Sequence, residues 1–436
     1  MSKNRFLKSI WTVPLLLGYS TISNAIQTPD LGSVADPKEQ FEIAMQLLGD
    51  QGSNNKDFES GYQWLKLAAA YQYPEAQYTL GLYHHLGLDN IQEDYNRAVK
   101  IYEQAANNGH LTAQLQLSRI LLDETLPLYD PQKAIHWLTK AALQNDVVSQ
   151  YSLALLYRDA TPYAPEHKNN YLSWLTRAAE NGYRQAQYML GSLYIEGTEY
   201  PVDHDKAFYW FNEAALQGDA ESQYNLALLY ERRGTDKHNQ EQARYWFEKA
   251  SAQDMPDAQF NLGRRYLFGQ GVKIDMEKGL GLITRSAEGG NPAAQTLLAN
   301  YYIQGQYLDQ NYAKARELYE TAADHQYPEA QYQLALMFAR GQGVIKSEEQ
   351  AVHWIRKAAE LNHPKAQYGL GAYLINGVGT EKDVFLAAYW ISRAAAQGQQ
   401  HAIEAKPSVL ENLTETEQES LDSMLGEIDS APQAVK

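Results

Sequence analysis

One short phrase, Ala or Ser followed by Gln, recurs at an almost constant interval, and this recurrence constrains the fold more than any other feature. The glutamine stands at nine positions that are 36 or 37 residues apart: Gln77, Gln114, Gln150, Gln187, Gln223, Gln259, Gln295, Gln331 and Gln367. A fixed period of this size is the signature of stacked copies of one small unit, in which only neighbouring copies touch. The sequence therefore predicts one array of repeats rather than several globular domains.

Small and apolar residues stand at fixed distances from each glutamine. The third residue after it is Leu in all nine copies, and the fourth is Gly, Ala or Ser. Residues at these spacings share one face of an α-helix, and a small residue there lets a second helix approach closely. We therefore predict that each copy begins with an amphipathic helix.

A tryptophan marks a second helix in most copies, thirteen residues before the position of the next glutamine. It occupies seven sites: Trp64, Trp137, Trp174, Trp210, Trp246, Trp354 and Trp390. Small residues stand three before it and four or five after it in most copies, as in Ala207 and Ala214-Ala215. Because these spacings form one helical stripe, we expect the Trp to be a large knob and the alanines the hole that receives a knob.

These patterns resemble the Sel-1-like repeat, a relative of the tetratricopeptide repeat, most fully over residues 257–290. The resemblance covers about residues 41–401 and implies an all-α fold, a right-handed α-solenoid of helix-loop-helix repeats that presents a concave face to partners and has no chemistry of its own. We predict the solenoid over residues 37–403, with about ten helical pairs, nine of which carry the full signature. The departures are local, such as Leu282 and Leu318 in the Trp position.

Both ends of the chain depart from the repeat. Residues 1–25 combine Lys3, Arg5 and Lys8 with a short apolar core and a Ser23-Asn24-Ala25 sequence, the pattern of a signal peptide cleaved after Ala25. Residues 26–36 are predicted to be a linker. The repeat lapses near Pro407, and residues 404–428 are predicted to form a capping helix with a capping box at Thr414 and Glu417. A disordered tail is predicted over 429–436.

Composition limits the class of partner. The formal net charge is −16, and removal of the three leader cations gives −19 for the remaining residues, which repels nucleic acid and anionic lipid at long range. The sequence has no cysteine, so disulfides and thiol catalysis are excluded. No apolar segment of the chain is long enough to span a bilayer after cleavage of the leader. We therefore expect protein partners, in the periplasm or outside the cell.

Patterns that carry catalysis are weak. Ser53-Asn54-Asn55-Lys56 matches the Ser-x-x-Lys pair of penicillin-interacting enzymes, but neither companion motif is present, so it is interpreted as a turn. The Gly-x-Gly loops after Phe268, Arg340 and Asn376 follow predicted helices and are interpreted as helix-ending turns. No enzyme activity, metal or cofactor is predicted. His84 occupies a position that is Tyr in other copies, which favours packing over metal binding.

The repeated glutamines have two interpretations. They bind a repetitive ligand, or they bond the backbone near the start of the first helix and fix the register between units, which is favoured. Most of the 32 tyrosines lie on the repeat stripe. Tyr301 and Tyr373 lie outside it and are candidates to line a partner-binding groove.

Four arginines form the strongest candidate partner site. Arg232 and Arg233 end one predicted first helix, and Arg264 and Arg265 lie on the next one. One hypothesis is that they bind an anionic partner, since arginine suits carboxylates on a protein or on an acidic glycan. The other is that they pair with nearby acids such as Glu231.

The function that these features favour is a non-enzymatic exported scaffold or adaptor. It mediates protein–protein interactions in the bacterial envelope or with a host protein, a role that the resemblance implies. The alternative is a cell-wall or polysaccharide-associated module that binds or hydrolyses glycans.

Overall fold

The computed structural model describes residues 30–31, 33–49, 55–89, 91–160, 167–197, 200–232 and 237–430. All the regular secondary structure in these ranges is α-helical. The predicted signal peptide, Ser53 and Asn54, Arg233 and residues 431–436 lie outside them. The chain divides into two compact units, residues 1–217 and 218–436.

Helices of the first unit alternate between the first and second helix of each repeat. In order they are α1 Pro37–Gly49, α2 Asn55–Ala70, α3 Pro74–Leu86, α4 Tyr95–Asn107, α5 Leu111–Leu121, α6 Pro131–Leu143, α7 Val147–Ala160, α8 His167–Glu180, α9 Arg184–Glu196 and α10 His204–Leu216. Within this unit each helix packs against its neighbours in sequence, so the pairs are stacked in series.

The second unit continues the same alternation. Its helices are α11 Ala220–Arg232, α12 Lys237–Ser251, α13 Pro256–Phe268, α14 Met276–Glu288, α15 Pro292–Gln304, α16 Tyr312–Asp324, α17 Pro328–Arg340, α18 Glu348–Glu360, α19 Pro364–Asn376, α20 Val384–Ala396, α21 Gln400–Leu410 and α22 Glu415–Ser430. The predicted all-α fold of repeated helix pairs is therefore confirmed in each unit.

The small residue four positions after each glutamine allows the two helices of a repeat to approach closely, as predicted. A Cβ atom added to Gly191 on α9 would lie 2.6 Å from the ring of Phe211 on α10, and one added to Gly371 on α19 would lie 2.5 Å from Ile391 on α20. The large residue that packs against this small residue is thus the one directly after the Trp. The Trp lies elsewhere, because Trp210 packs in one apolar cluster with Ala178 and Ala179 of the preceding repeat, in agreement with the expected packing of a large Trp against an alanine pair.

Side chains and glycines set the ends of the helices. The second helices begin after a residue whose side chain accepts a backbone N–H of the first turn, which satisfies a donor that the helix leaves free: Asp94, Asp130, Asp203, Asp275, Asn311, Ser347 and Asp383. Several first helices end at glycines in the left-handed conformation, including Gly269, Gly341 and Gly377 at φ +70°, +69° and +65°. The prediction that the Gly-x-Gly loops are helix-ending turns is confirmed.

The C-terminal end differs from the prediction in its details. Pro407 lies inside α21, which crosses the expected boundary at residue 403 and ends at Leu410. The capping box is present, because the Thr414 N–H donates to the Glu417 carboxylate at 2.8 Å and the Glu417 N–H donates to the Thr414 hydroxyl at 3.3 Å. Leu421 on α22 is buried against α20, so this helix covers the last repeat. The helix continues to Ser430, two residues into the predicted tail.

Candidate partner-binding site

The repeated glutamines hold consecutive helices together. In eight copies the side-chain N–H donates to the backbone carbonyl eight residues earlier, at 3.0 to 3.5 Å, as from Gln114 to Ala106. The structural interpretation is thereby supported. The acceptor belongs to the end of the preceding helix, however, and not to the start of the first helix as predicted, because the side chain reaches back across the turn.

The glutamine side-chain oxygen links each repeat to the next. It accepts an amide N–H at 2.7 to 3.0 Å from a residue 30 or 31 positions later in six pairs: Gln77–Asn108, Gln114–Gln144, Gln150–Asn181, Gln187–Gln217, Gln223–Gln253 and Gln367–Gln397. We call these pairs the amide ladder. Buried amides that are bonded at both ends are positioned for register and not for a ligand.

The amide ladder is interrupted in three consecutive repeats of the second unit. The residues that would supply the donor are Gly289, His325 and Leu361. In the described structure the oxygens of Gln295 and Gln331 are buried and have no hydrogen-bond partner. These repeats therefore lose one polar link each.

Arg265, one of the four candidate arginines, is a structural residue. It is only 3% exposed, and its guanidinium donates to the Glu231 carboxylate on α11 and, at 3.2 Å, to the carbonyl oxygen of Gln270. The guanidinium also lies 5.3 Å from the centre of the Phe247 ring. The hypothesis of pairing with Glu231 is confirmed for this residue, because burial beside an acid leaves no face for a partner.

The remaining arginines do not share one environment. Arg264 is half-buried with its guanidinium 5.6 Å from the ring of Phe260, whereas Arg232 is exposed at the end of α11. Arg233 lies outside the described residues. A role of Arg232 and Arg264 in partner binding stays a prediction.

Tyr301 and Tyr373 are both half-buried and contribute to packing. The ring of Tyr301 lies against an apolar cluster and 6.4 Å from the ring of Tyr307. Tyr373 packs on the cluster between α18 and α20, and burial raises the pKa of its hydroxyl, which is bonded to Glu348. Their proposed role in a groove stays a prediction.

The histidines act as packing and capping groups. Nε2 of His84 lies 3.1 Å from the hydroxyl of Tyr62, in agreement with the predicted packing role. Nδ1 of His110 accepts the N–H of Ala113, and Nδ1 of His363 accepts that of Ala366, both at 3.1 Å. Among the residues with described positions, no group of three or more metal-ligating side chains is gathered.

A cleft in the first unit was missed by the sequence analysis. It has a volume of about 690 Å³ and lies between α2, the α3–α4 loop, the start of α4 and the α5–α6 loop. Its polar lining residues include Tyr62, Lys66, His84, Glu93, Asp94 and Arg97, and its apolar lining residues are Ile91, Leu126, Pro127 and Leu128. The only sequence signal was the replacement of the usual Tyr by His84.

The Sel1 repeat family model matches ten segments: residues 40–70, 74–110, 112–146, 172–183, 184–219, 220–255, 256–291, 292–327, 328–363 and 364–399. The chain belongs to the Sel1 repeat family. Sel1 repeat proteins generally mediate protein–protein interactions, and their scaffold is typically non-catalytic. The resemblance predicted from the repeated residues is confirmed.

Two solved structures support the same fold. One is a Sel1 repeat protein from Oxalobacter formigenes, with 28% identity and a TM-score of 0.60 over 80% of this chain and 97% of that chain. The other is a protective antigen present in uropathogenic Escherichia coli strains that displays an SLR fold, with 26% identity and a TM-score of 0.56 over 89% of this chain and 90% of that chain. The predicted solenoid class is therefore confirmed.

A curated relative is an uncharacterized protein from Neisseria meningitidis serogroup B. It is 30% identical over 112 residues, which are 26% of this chain and 23% of the relative. The match thus spans about a quarter of that relative's length.

Proposed function

We propose that this Sel1 repeat protein is a non-enzymatic exported scaffold, which binds protein partners in the bacterial envelope or on a host cell. The observation that carries the proposal is the use of the repeated polar residues. The glutamines of the amide ladder are bonded within and between repeats, and Arg265 is paired with Glu231. Repeats whose polar groups maintain the stack leave the variable loops and surfaces for partners.

Export is supported by the leader-like composition of residues 1–25. The similarity to a protective antigen of uropathogenic Escherichia coli favours a location that a host meets. No described helix is both long and apolar enough to cross a membrane. The net charge of −19 without the leader cations favours protein partners over nucleic acid.

Crosslinking in the native bacterium tests the scaffold function. A photoreactive amino acid is placed at the exposed Gln92 on the cleft and, as a control, at the exposed Lys38 on α1, and the products are identified by mass spectrometry. We expect one reproducible envelope or host protein from the cleft position that is absent from the control. Identical products at the two positions would contradict a specific scaffold, and turnover of peptidoglycan by the purified chain would favour the glycan-directed alternative.

A further inference from the structure

Three residues of the cleft in the first unit occupy repeat positions that form a side-chain cluster in the second unit. Tyr266 stands seven residues after Gln259, and its hydroxyl donates to Glu248 at 3.2 Å and accepts from the Lys278 ammonium at 2.6 Å. This cluster contains one acid and one base, so its formal charges cancel. In this repeat the residues at the three positions, Glu248, Tyr266 and Lys278, bond to one another.

The same three positions carry a different set of charges in the cleft. His84 stands seven residues after Gln77 and replaces the tyrosine, and Lys66 replaces the glutamate eleven residues before the glutamine. Arg97 matches Lys278, since each is the third residue of its helix and donates its backbone N–H to the capping aspartate. One acid and one base have thus become two bases.

Neither base finds an acid in the described part of the chain. The ammonium of Lys66 lies 5.2 Å from the centre of the Tyr62 ring, and no ion pair or side-chain hydrogen bond of Arg97 is present there. Two acids also line the cleft, but the Asp94 carboxylate caps α4 and the Glu93 carboxylate bonds the hydroxyl of Tyr95.

The buried floor of the cleft is neutral and polar. His84 is 4% exposed and bonded to the hydroxyl of Tyr62, which is 7% exposed. Burial and the nearby Arg97 charge lower the pKa of His84, so its imidazole is neutral at pH 7. Lys66 and Arg97 are the cations of the lining, and both can donate to an anion, whereas the charged carboxylates of Asp94 and Glu93 are engaged in local hydrogen bonds.

We propose that this cleft binds a carboxylate on an acidic segment of a protein partner. That carboxylate would meet Lys66 and Arg97 and supply the negative charge that Glu248 supplies internally in the second unit. The apolar lining residues, which are Ile91, Leu126, Pro127 and Leu128, receive an apolar side chain of the same segment. This inference rests on the proposed scaffold function, because it names the chemistry of the partner. A cleft lined by both cations and apolar side chains suits an acidic–apolar peptide better than an inorganic anion.

Peptide binding to the full mature chain tests the proposal. The probes are the labelled peptide acetyl-Gly-Leu-Glu-Leu-Asp-Gly-amide, the same peptide with Gln and Asn in place of Glu and Asp, and inorganic phosphate as a competitor. We expect the acidic peptide to bind at least tenfold more tightly than its amide counterpart. Equal affinity of the two peptides, absence of binding by the acidic one, or complete displacement by millimolar phosphate would overturn the proposal.

Matched variants assign the effect to the cleft. Lys66→Glu recreates the one acid and one base of the Tyr266 cluster, so the fold is expected to survive while the preference for the acidic peptide is lost. Arg97→Gln should weaken that preference several-fold. Lys100→Glu makes the same charge change at an exposed position of α4 outside the cleft and should leave binding unchanged.

The variants also separate this inference from the scaffold function. If Lys66→Glu stays folded by circular dichroism and binds the acidic peptide like the wild type, the cleft is not the site. If that variant still crosslinks the native partner, the scaffold function stands without the proposed cleft. Loss of the crosslink only in Lys66→Glu and not in Lys100→Glu supports both.

Discussion

Each repeated glutamine serves two purposes at the scale of the single residue. Gln114 donates to the Ala106 carbonyl at 3.0 Å and accepts from Gln144 at 2.9 Å, so one buried amide connects three helices. A buried polar group left without a partner costs about 1–3 kcal/mol, which makes both bonds important for stability. Gln331 keeps only the first bond, to Ala323.

We predict that Gln114→Leu lowers the free energy of unfolding by about 2–4 kcal/mol, because it leaves both the Ala106 carbonyl and the Gln144 amide without this partner. Gln331→Leu should cost less, since only the Ala323 carbonyl loses its partner. Urea unfolding followed by circular dichroism gives the comparison. An equal loss in the two variants would show that the link between repeats contributes nothing.

Histidine caps make part of the stability depend on pH. Nδ1 of His110 accepts the N–H of Ala113 and must carry no proton to do so. Burial lowers the pKa of His110, and the ring stacks on Tyr78 at 4.7 Å. Because the folded pKa lies below the ordinary value of about 6.5, the unfolded chain takes up the proton first as the pH falls.

We therefore predict that the chain becomes less stable as the pH is lowered from 7.5 to 5.5. His110→Asn should reduce this dependence, since Asn291 caps the equivalent position of α15 without a titrating group. Burial also lowers the pKa values of His84 and His85, so these two residues should account for the pH dependence that remains in the variant. Melting temperatures at both pH values measure the effect, and an unchanged pH dependence in His110→Asn would refute it.

At the scale of the element, the distance between paired helices is set by one small residue and the large residue facing it. Gly191 faces Phe211, and Gly263 faces Ile283. By contrast, Gly281 on α14 is exposed, and a Cβ atom there would meet nothing within 4 Å. The same residue type is thus required at one helical position and dispensable at another.

We predict that Gly191→Leu destabilises the protein by about 1–3 kcal/mol or more, because the added side chain must displace the Phe211 ring from a close-packed core. Gly281→Leu should be neutral or stabilising, by up to about 1 kcal/mol, because Leu favours the helix more than Gly does. Thermal unfolding of both variants provides the test. Destabilisation by Gly281→Leu would contradict this prediction.

At the scale of the whole molecule, the leader has a positive net charge and the rest of the chain has a negative one. Lys3, Arg5 and Lys8 precede a chain with a net charge of −19. Such a separation of charge suits a segment that is removed during export. In a chain of this net charge an anionic partner is repelled at long range, so recognition of such a partner requires local cations such as Lys66 and Arg97.

We predict that the mature protein begins at Ile26. Mass spectrometry of the protein recovered from the periplasm or the culture medium should give an N-terminal peptide starting there. An Ala25→Tyr variant should be processed poorly, since the cleavage site requires a small residue. A wild-type chain that retains Met1 would contradict the export proposal.

The sequence alone determined the repeat, its period and its helical class, because a stack of equal units must present the same small and apolar residues at the same helical positions. It also determined the helix-ending role of Gly269, Gly341 and Gly377, because only the local backbone conformation matters there. These properties depend on residues within a few helical turns of one another. An internal comparison of nine copies was sufficient to find them.

Tertiary structure decided which side chains meet across repeats. The sequence placed Arg264 and Arg265 together, but burial of Arg265 against Glu231, 34 residues away, removed it from the candidate site. It likewise did not show that Lys66 and Arg97 share a cleft, since they lie on different repeats and carry no motif. Whether two charged side chains pair depends on the distance between them, and that distance follows from how the helices stack.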